Sequence, residues 1–99
     1  MSDLPPIRNH EDGSKGRYVM RLDTGEEAEM TYSKLGDTKV IIDHTGVPDA
    51  FRCMGAGLAL VTRAVEDFRA QGKKVIPLCP FAAAQFRRHP EWSDVLDQR

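Results

Sequence analysis

Arg52-Cys53-Met54-Gly55-Ala56-Gly57, continuing into Leu58-Ala59-Leu60-Val61, puts two glycines into the first turn of the strongest helical pattern in the chain. A glycine in a helix interior costs roughly 1 kcal/mol relative to alanine, and less in a first turn, so two together need a reason. One reason is packing, because a helix start without side chains can lie close on a sheet. The other is chemical: bare backbone lets the unpaired N–H groups of a helix start meet an anion, with the positive end of the helix dipole behind them. A pyrophosphate fits such a cradle. No Lys-Ser/Thr follows the glycines and the three-glycine dinucleotide fingerprint is absent, so a different phosphate-bearing cofactor is implied. Of the other reactive side chains, Cys53 and Cys79 make no disulfide framework, and His10 and His89 show no metal-ligand spacing. No metal is expected.

The elements that must hold these residues follow from periodicity. At 99 residues the chain is expected to be one domain, 1–99, because two cores would each bury too little apolar surface. A net charge of −1 from 14 basic and 15 acidic residues recruits neither nucleic acid nor an anionic membrane, so any anion site must be local. No apolar stretch is long enough for a signal peptide or a membrane span, and a cytoplasmic protein with reduced thiols is the expectation. Ile7-Arg8 reads as a short extended segment and Asn9 to Gly16 as a loop. Alternation then places Tyr18, Met20 and Leu22 on one face of a strand, and Ala28, Met30 and Tyr32 on one face of the next, with a turn at Asp23 to Glu26. A third strand runs over 38–47. Beyond Pro48-Asp49 the period becomes helical, with Leu58, Leu60, Val61, Ala64, Val65 and Phe68 in an apolar stripe and Gly72 as a left-handed cap. Lys74 to Leu78 reads as a short strand whose Pro77 marks an edge or a splay, and the tail as two short helices split at His89-Pro90.

The spacing Arg52-x-x-Gly55-x-Gly57, after a strand and opening an amphipathic helix, resembles the signature of the GNAT superfamily of acetyl-CoA-dependent N-acetyltransferases. The likeness extends from His44 to Trp92, about half the chain, through His44-Thr45-Gly46-Val47, Pro77-Leu78-Cys79-Pro80-Phe81 and His89-Pro90-Glu91-Trp92, and is closest to small single-domain members. It implies an α+β fold in which an antiparallel meander is followed by a strand-helix-strand unit with a splayed parallel pair and C-terminal helices. It implies acetyl-CoA or coenzyme A as cofactor, with Arg52 among the residues that bind it, its pyrophosphate held by the backbone N–H groups of Cys53, Met54, Gly55, Ala56, Gly57, Leu58 and Ala59, and its pantetheine arm paired like an extra strand near Thr45 and Val47. Arg87 and Arg88 are candidates for the ribose phosphate. Larger members carry a tyrosine acid where Phe86 stands here, and two helices walling the acceptor site where Asn9 to Gly16 leaves room for none, so an open acceptor side is expected.

Within that frame two residues could move protons. Amide formation needs a neutral amine, and a lysine at neutral pH is neutral only about once in a few thousand molecules, so a base helps. Asp43 and His44 alternate along their strand, so one of them reaches the cleft. His44 is the better base, with an ordinary pKa near 6.5, although a histidine bonded within the sheet would look the same. Cys79 should lie at the fork of the parallel strands, as the acid for the departing thiolate, as an acceptor of the acetyl group, or as a small buried hydrophobe. The leading expectation is transfer of an acetyl group to a primary amine on an exposed or peptide-like acceptor, small molecule or protein, by a monomer or weak homodimer. The alternatives are a non-catalytic coenzyme A-binding module acting through a protein partner and, more remotely, a nucleotide-binding protein.

Overall fold

The computed structural model describes residues 4–22, 24–48 and 55–97. Four strands form an antiparallel meander, β1 (Ile7–Asp12), β2 (Lys15–Arg21), β3 (Glu27–Leu35) and β4 (Lys39–Gly46). Helix α1 (Ala56–Ala70) carries the chain across to β5 (Lys74–Pro77), which pairs parallel to β4, and α2 (Pro80–Arg88) and a 3-10 turn (Pro90–Trp92) follow. The sheet order is that of the chain, β1 to β5.

The hairpin β1–β2 corrects the expectation of a loop over Asn9 to Gly16. All of β1 beyond Ile7 is exposed, so it shows no apolar alternation; as an edge strand it is held by its ladder to β2, from Ile7–Met20 to Asp12–Lys15. Only the turn, with Gly13 at φ 64°, is loop.

One face of the sheet carries the core. Tyr18, Met20, Ala28, Met30, Tyr32, Val40 and Ile42 pack there against Leu60, Val61, Ala64, Val65 and Phe68 of α1, and Ala82, Phe86 and Trp92 extend the same cluster. The helical stripe is thus as expected except at Leu58, which is exposed. α1 ends in a Schellman arrangement, with Lys73 N–H on the Phe68 carbonyl (2.9 Å), Gly72 N–H on Arg69 (3.1 Å) and Gly72 at φ 72°. No described element covers the other face, on which Arg17, Glu29, Thr31 and Ser33 alternate with the buried residues. Val19 is buried there but lies outside the core cluster. No helix among the described residues is long and apolar enough to cross a membrane.

Candidate functional site

The start of α1 is open. Its N-cap, Gly55, lies at φ 74°, a left-handed conformation that glycine takes without steric cost. The first bond within the helix joins Ala59 N–H to the Gly55 carbonyl (3.0 Å), so the N–H groups of Ala56, Gly57 and Leu58 have no helical acceptor. No side chain caps this end and no acid stands in the first turn. A Cβ on Gly57 would lie 2.6 Å from the Phe81 ring of α2, so the glycine is what lets the two helices approach. In front of this helix start is a cleft of about 450 Å³, lined by Thr45, Val47, Gly55, Ala56, Gly57, Leu58, Phe81, Gln85 and Arg88.

Next to the cleft the sheet forks. Strands β4 and β5 pair only from Lys39–Lys74 to Ile42–Pro77; there the proline ends the ladder, and the N–H groups of Leu78 and Cys79 both turn back to the Ile42 carbonyl (3.1 and 3.2 Å). β4 continues to Gly46 on β3 alone. Past Ile42, therefore, its outer edge has no partner among the described residues, and an extended chain could pair with it as a strand does. Cys79 caps α2 at the crotch, 5% exposed, its thiol 3.6 Å from the Thr45 hydroxyl oxygen, to which it can donate. Burial pushes the thiol pKa up. The N–H of Ala82, the Thr45 hydroxyl and the N–H groups of Phe81 and Thr45 outweigh that and hold it below the ordinary value, although no backbone N–H closes a capping bond.

His44 is elsewhere. The β3–β4 register shifts at Thr31/Tyr32, so that Tyr32 faces Ile42 and Thr31 faces His44, and Asp43 is the extra residue of a bulge. The bulge undoes the alternation on which Asp43 and His44 would point apart. Asp43 accepts a hydrogen bond from Ser33 (2.9 Å) and His44 is cross-strand from Thr31, both on the uncovered face. Thr45, opposite core residue Met30, returns to the cleft side. The His44 imidazole lies along the strand toward its end, Nε2 being 3.2 Å from where a Cβ on Gly46 would stand. On the same face a groove of about 400 Å³ runs from Asp43 and Thr31 to Lys15 and Arg17, with His44 outside its lining.

Of the residues expected to hold a cofactor, Thr45, Val47, Gly55, Ala56, Gly57, Leu58 and Arg88 line one cleft. Ala59 packs against the core and Arg87 is exposed away from the cleft lining. Arg52, Cys53 and Met54 lie outside the described residues. Phe86, in the place of the larger relatives' tyrosine, is buried edge-on against Trp92 with centroids 5.5 Å apart. Two lining residues, Phe81 and Gln85, are not among the cofactor contacts expected from the sequence, yet the spacing 81, 85, 88 is the i, i+4, i+7 signal of one helical face. Among the described residues no group of three or more His, Cys, Asp or Glu could hold a metal ion.

Comparison with known proteins agrees with this geometry. Residues 17–95 match the family model described as GCN5-related N-acetyl-transferase. No curated protein sequence matches significantly. The NMR solution structure of a GCN5-like protein from Staphylococcus aureus, proposed to be an N-acetyltransferase, superposes with a TM-score of 0.76 at 29% identity, covering 100% of this chain and 93% of that one. With four-fifths of its length matched to one family model, and that fold underneath, the chain belongs to the GCN5-related N-acetyltransferase family.

Proposed function

We propose that this protein transfers an acetyl group from acetyl-CoA to a primary amine exposed on an extended or peptide-like acceptor. The observation that carries the proposal is an adjacency: the open N-terminus of α1 and Thr45, on the unpaired edge of β4, line one cleft, and the Cys79 thiol lies against Thr45. The residues present fit the cofactor. Backbone N–H groups of Ala56, Gly57 and Leu58, with Arg88 across from them, suit its phosphates, and a side chain on Gly57 would close the space. Thr45 and Val47 border the edge an extended arm would occupy. Bound there, acetyl-CoA supplies an acyl group already activated as a thioester.

Proton handling then falls to two residues on opposite faces of the sheet. His44, on the open face, is the candidate to take a proton from an amine arriving there; Cys79, on the cleft side, is the candidate to give one to a departing thiolate. Removal on one side and delivery on the other suits a reaction centre lying between them in the fork. An open groove with few walls favours an acceptor that brings its own scaffold over a small enclosed metabolite. The packing of Phe86 against Trp92, with no hydroxyl at that place, favours the second reading, a coenzyme A-binding module without turnover.

Calorimetry with coenzyme A tests the first step. Micromolar affinity, about −8 kcal/mol, is expected for the wild type. Gly57→Glu should abolish it with the fold intact, and unchanged binding in that variant would end the assignment. Release of free thiol from acetyl-CoA with a panel of amines and lysine peptides separates the two readings. Peptide-dependent release is the expected result; binding without release would leave the module.

A further inference from the structure

The sheet face that no described helix covers carries a second groove, of about 620 Å³, where β1 and β3 begin and β2 ends. Val19 lines it and is 4% exposed, although no packed element stands over it. Its neighbours on that face are long side chains, Arg8 and Glu29 cross-strand and Arg17 and Arg21 two residues either way along β2. Such side chains cover an apolar residue with their stems and keep their charged heads in water.

The charges around this groove do not balance. Arg8, Arg17 and Arg21 line it against one carboxylate, that of Glu27, among the described residues. Arg17 takes up the acids at hand, donating to Glu29 at 2.8 Å and lying 3.9 Å from Glu27. Glu27 is cross-strand from Arg21 yet forms no ion pair with it, and Arg8 stands opposite Val19. Arg8 and Arg21, both exposed, are left without a carboxylate partner among the described residues. As diagonal neighbours on adjacent strands they stand about 8 Å apart at Cα. That is close to the spacing of alternate residues in an extended chain, about 7 Å, and suits two carboxylates along a peptide better than one compact anion.

The groove also points back toward the acceptor side. It shares His10 and Arg17 with the groove that runs to Asp43, the residue before His44. From His44, two strand spacings and four residues lead to Arg21, and three spacings and two residues to Arg8, about 16 Å in each case. An extended chain covers that distance in about five residues. Resting on the acetyl-transfer reading above, we infer that this groove docks an acidic stretch of the acceptor. The preferred substrate is a peptide whose lysine lies four to six residues from a pair of carboxylates.

The test uses two N-terminally blocked peptides with one central lysine, one bearing glutamates four to six residues away on both sides and the other glutamines at the same places. Exposed ion pairs are individually modest, so two of them should raise kcat/KM for the acidic peptide about tenfold over the neutral one. Added salt should shrink that ratio. In Arg8→Gln/Arg21→Gln it should fall to about one, with coenzyme A affinity and melting temperature as in the wild type, and each single variant should lose about threefold. Equal kcat/KM for the two peptides on the wild type, or a preference that the double variant keeps, overturns the docking role and leaves the transfer reading standing. Release of thiol from acetyl-CoA with small amines but with neither peptide overturns it as well. Release with no amine at all defeats the transfer reading along with it.

Discussion

Cys79 is subject to opposing effects: burial disfavours its thiolate, while the N–H groups at the start of α2 and the Thr45 hydroxyl favour it and prevail. Alkylation rate against pH should accordingly show a midpoint below that of an unperturbed thiol, with peptide mapping to score Cys53 separately. Thr45→Val should move that midpoint upward, because a donor to the thiolate is lost. If the thiol is the acid, Cys79→Ala should lower turnover by about 10²–10⁴-fold with coenzyme A affinity nearly unchanged, and Cys79→Ser should restore packing but little rate. Mass spectrometry showing an acetyl adduct on Cys79 after mixing with acetyl-CoA alone would make it an acyl acceptor instead. The sequence shows Cys79 and Thr45 separately, as a cysteine after a strand and a threonine beside the glycine stretch. Their contact spans 34 residues, and nothing in the local pattern announces it.

At the scale of elements, two glycines with similar contacts should behave differently. A Cβ at Gly57 would meet Phe81 at 2.6 Å, and one at Gly16 would meet Tyr32 at 2.3 Å. Phe81 is 37% exposed and its ring can swing away, so Gly57→Ala should leave stability within about 1 kcal/mol while disturbing the cleft and weakening coenzyme A. Tyr32 cannot yield. Its ring is buried between Tyr18 and Phe68, and its hydroxyl donates to Glu11 (2.6 Å) and accepts from Asn9 (2.9 Å). Gly16→Ala should therefore destabilise by about 1–3 kcal/mol in urea titrations, with coenzyme A affinity preserved when the protein is folded. The same Tyr32 contacts explain why β1 escapes periodicity. Asn9 and Glu11 are polar residues that the edge strand needs to reach a buried phenol, and polar residues beside glycines read locally as loop.

At the scale of the whole molecule, the described helices all pack on one face of the sheet, and the tyrosines beneath them set its behaviour in base. Burial and the hydrogen bond to Glu11 push Tyr32 up to about 12 from 10.0, and burial with the hydrogen bond to Asp67 raises Tyr18 as well. For groups whose folded pKa lies above the unfolded one, the stabilisation is fully present below pH 10 and is lost as pH climbs from 10 through 12. The urea midpoint should thus hold at moderately alkaline pH and fall above 10, less steeply in Tyr32→Phe. The acid limb has the opposite sign. Hydrogen bonds from Lys34 and from the Tyr32 hydroxyl keep Glu11 below the usual carboxylate range, so its contribution is present above pH 4.5 and is lost as pH falls below it. A flat profile above pH 10 would mean that the phenols ionise without disturbing the fold.

What the sequence determined by itself was whatever a few neighbouring residues decide: alternation for β2 and β3, the helical stripe and glycine cap of α1, the glycines of its open start, and an ordered set of motifs specific enough to suggest the family. These signals are local because hydrogen-bond geometry and side-chain direction repeat over two to four residues. Three features were left to the tertiary structure. The bulge at Asp43 put Asp43 and His44 on one face, a consequence of register against β3 that no single strand encodes. The rotation of α2 brought Phe81, Gln85 and Arg88 to the cleft and left Arg87 outside, which depends on how Ala82 and Phe86 seat in a core built by distant strands. And Cys79 drew its acidity from Thr45 and the start of α2 together, meeting where β4 and β5 part, because a proline ends one strand while its neighbour continues.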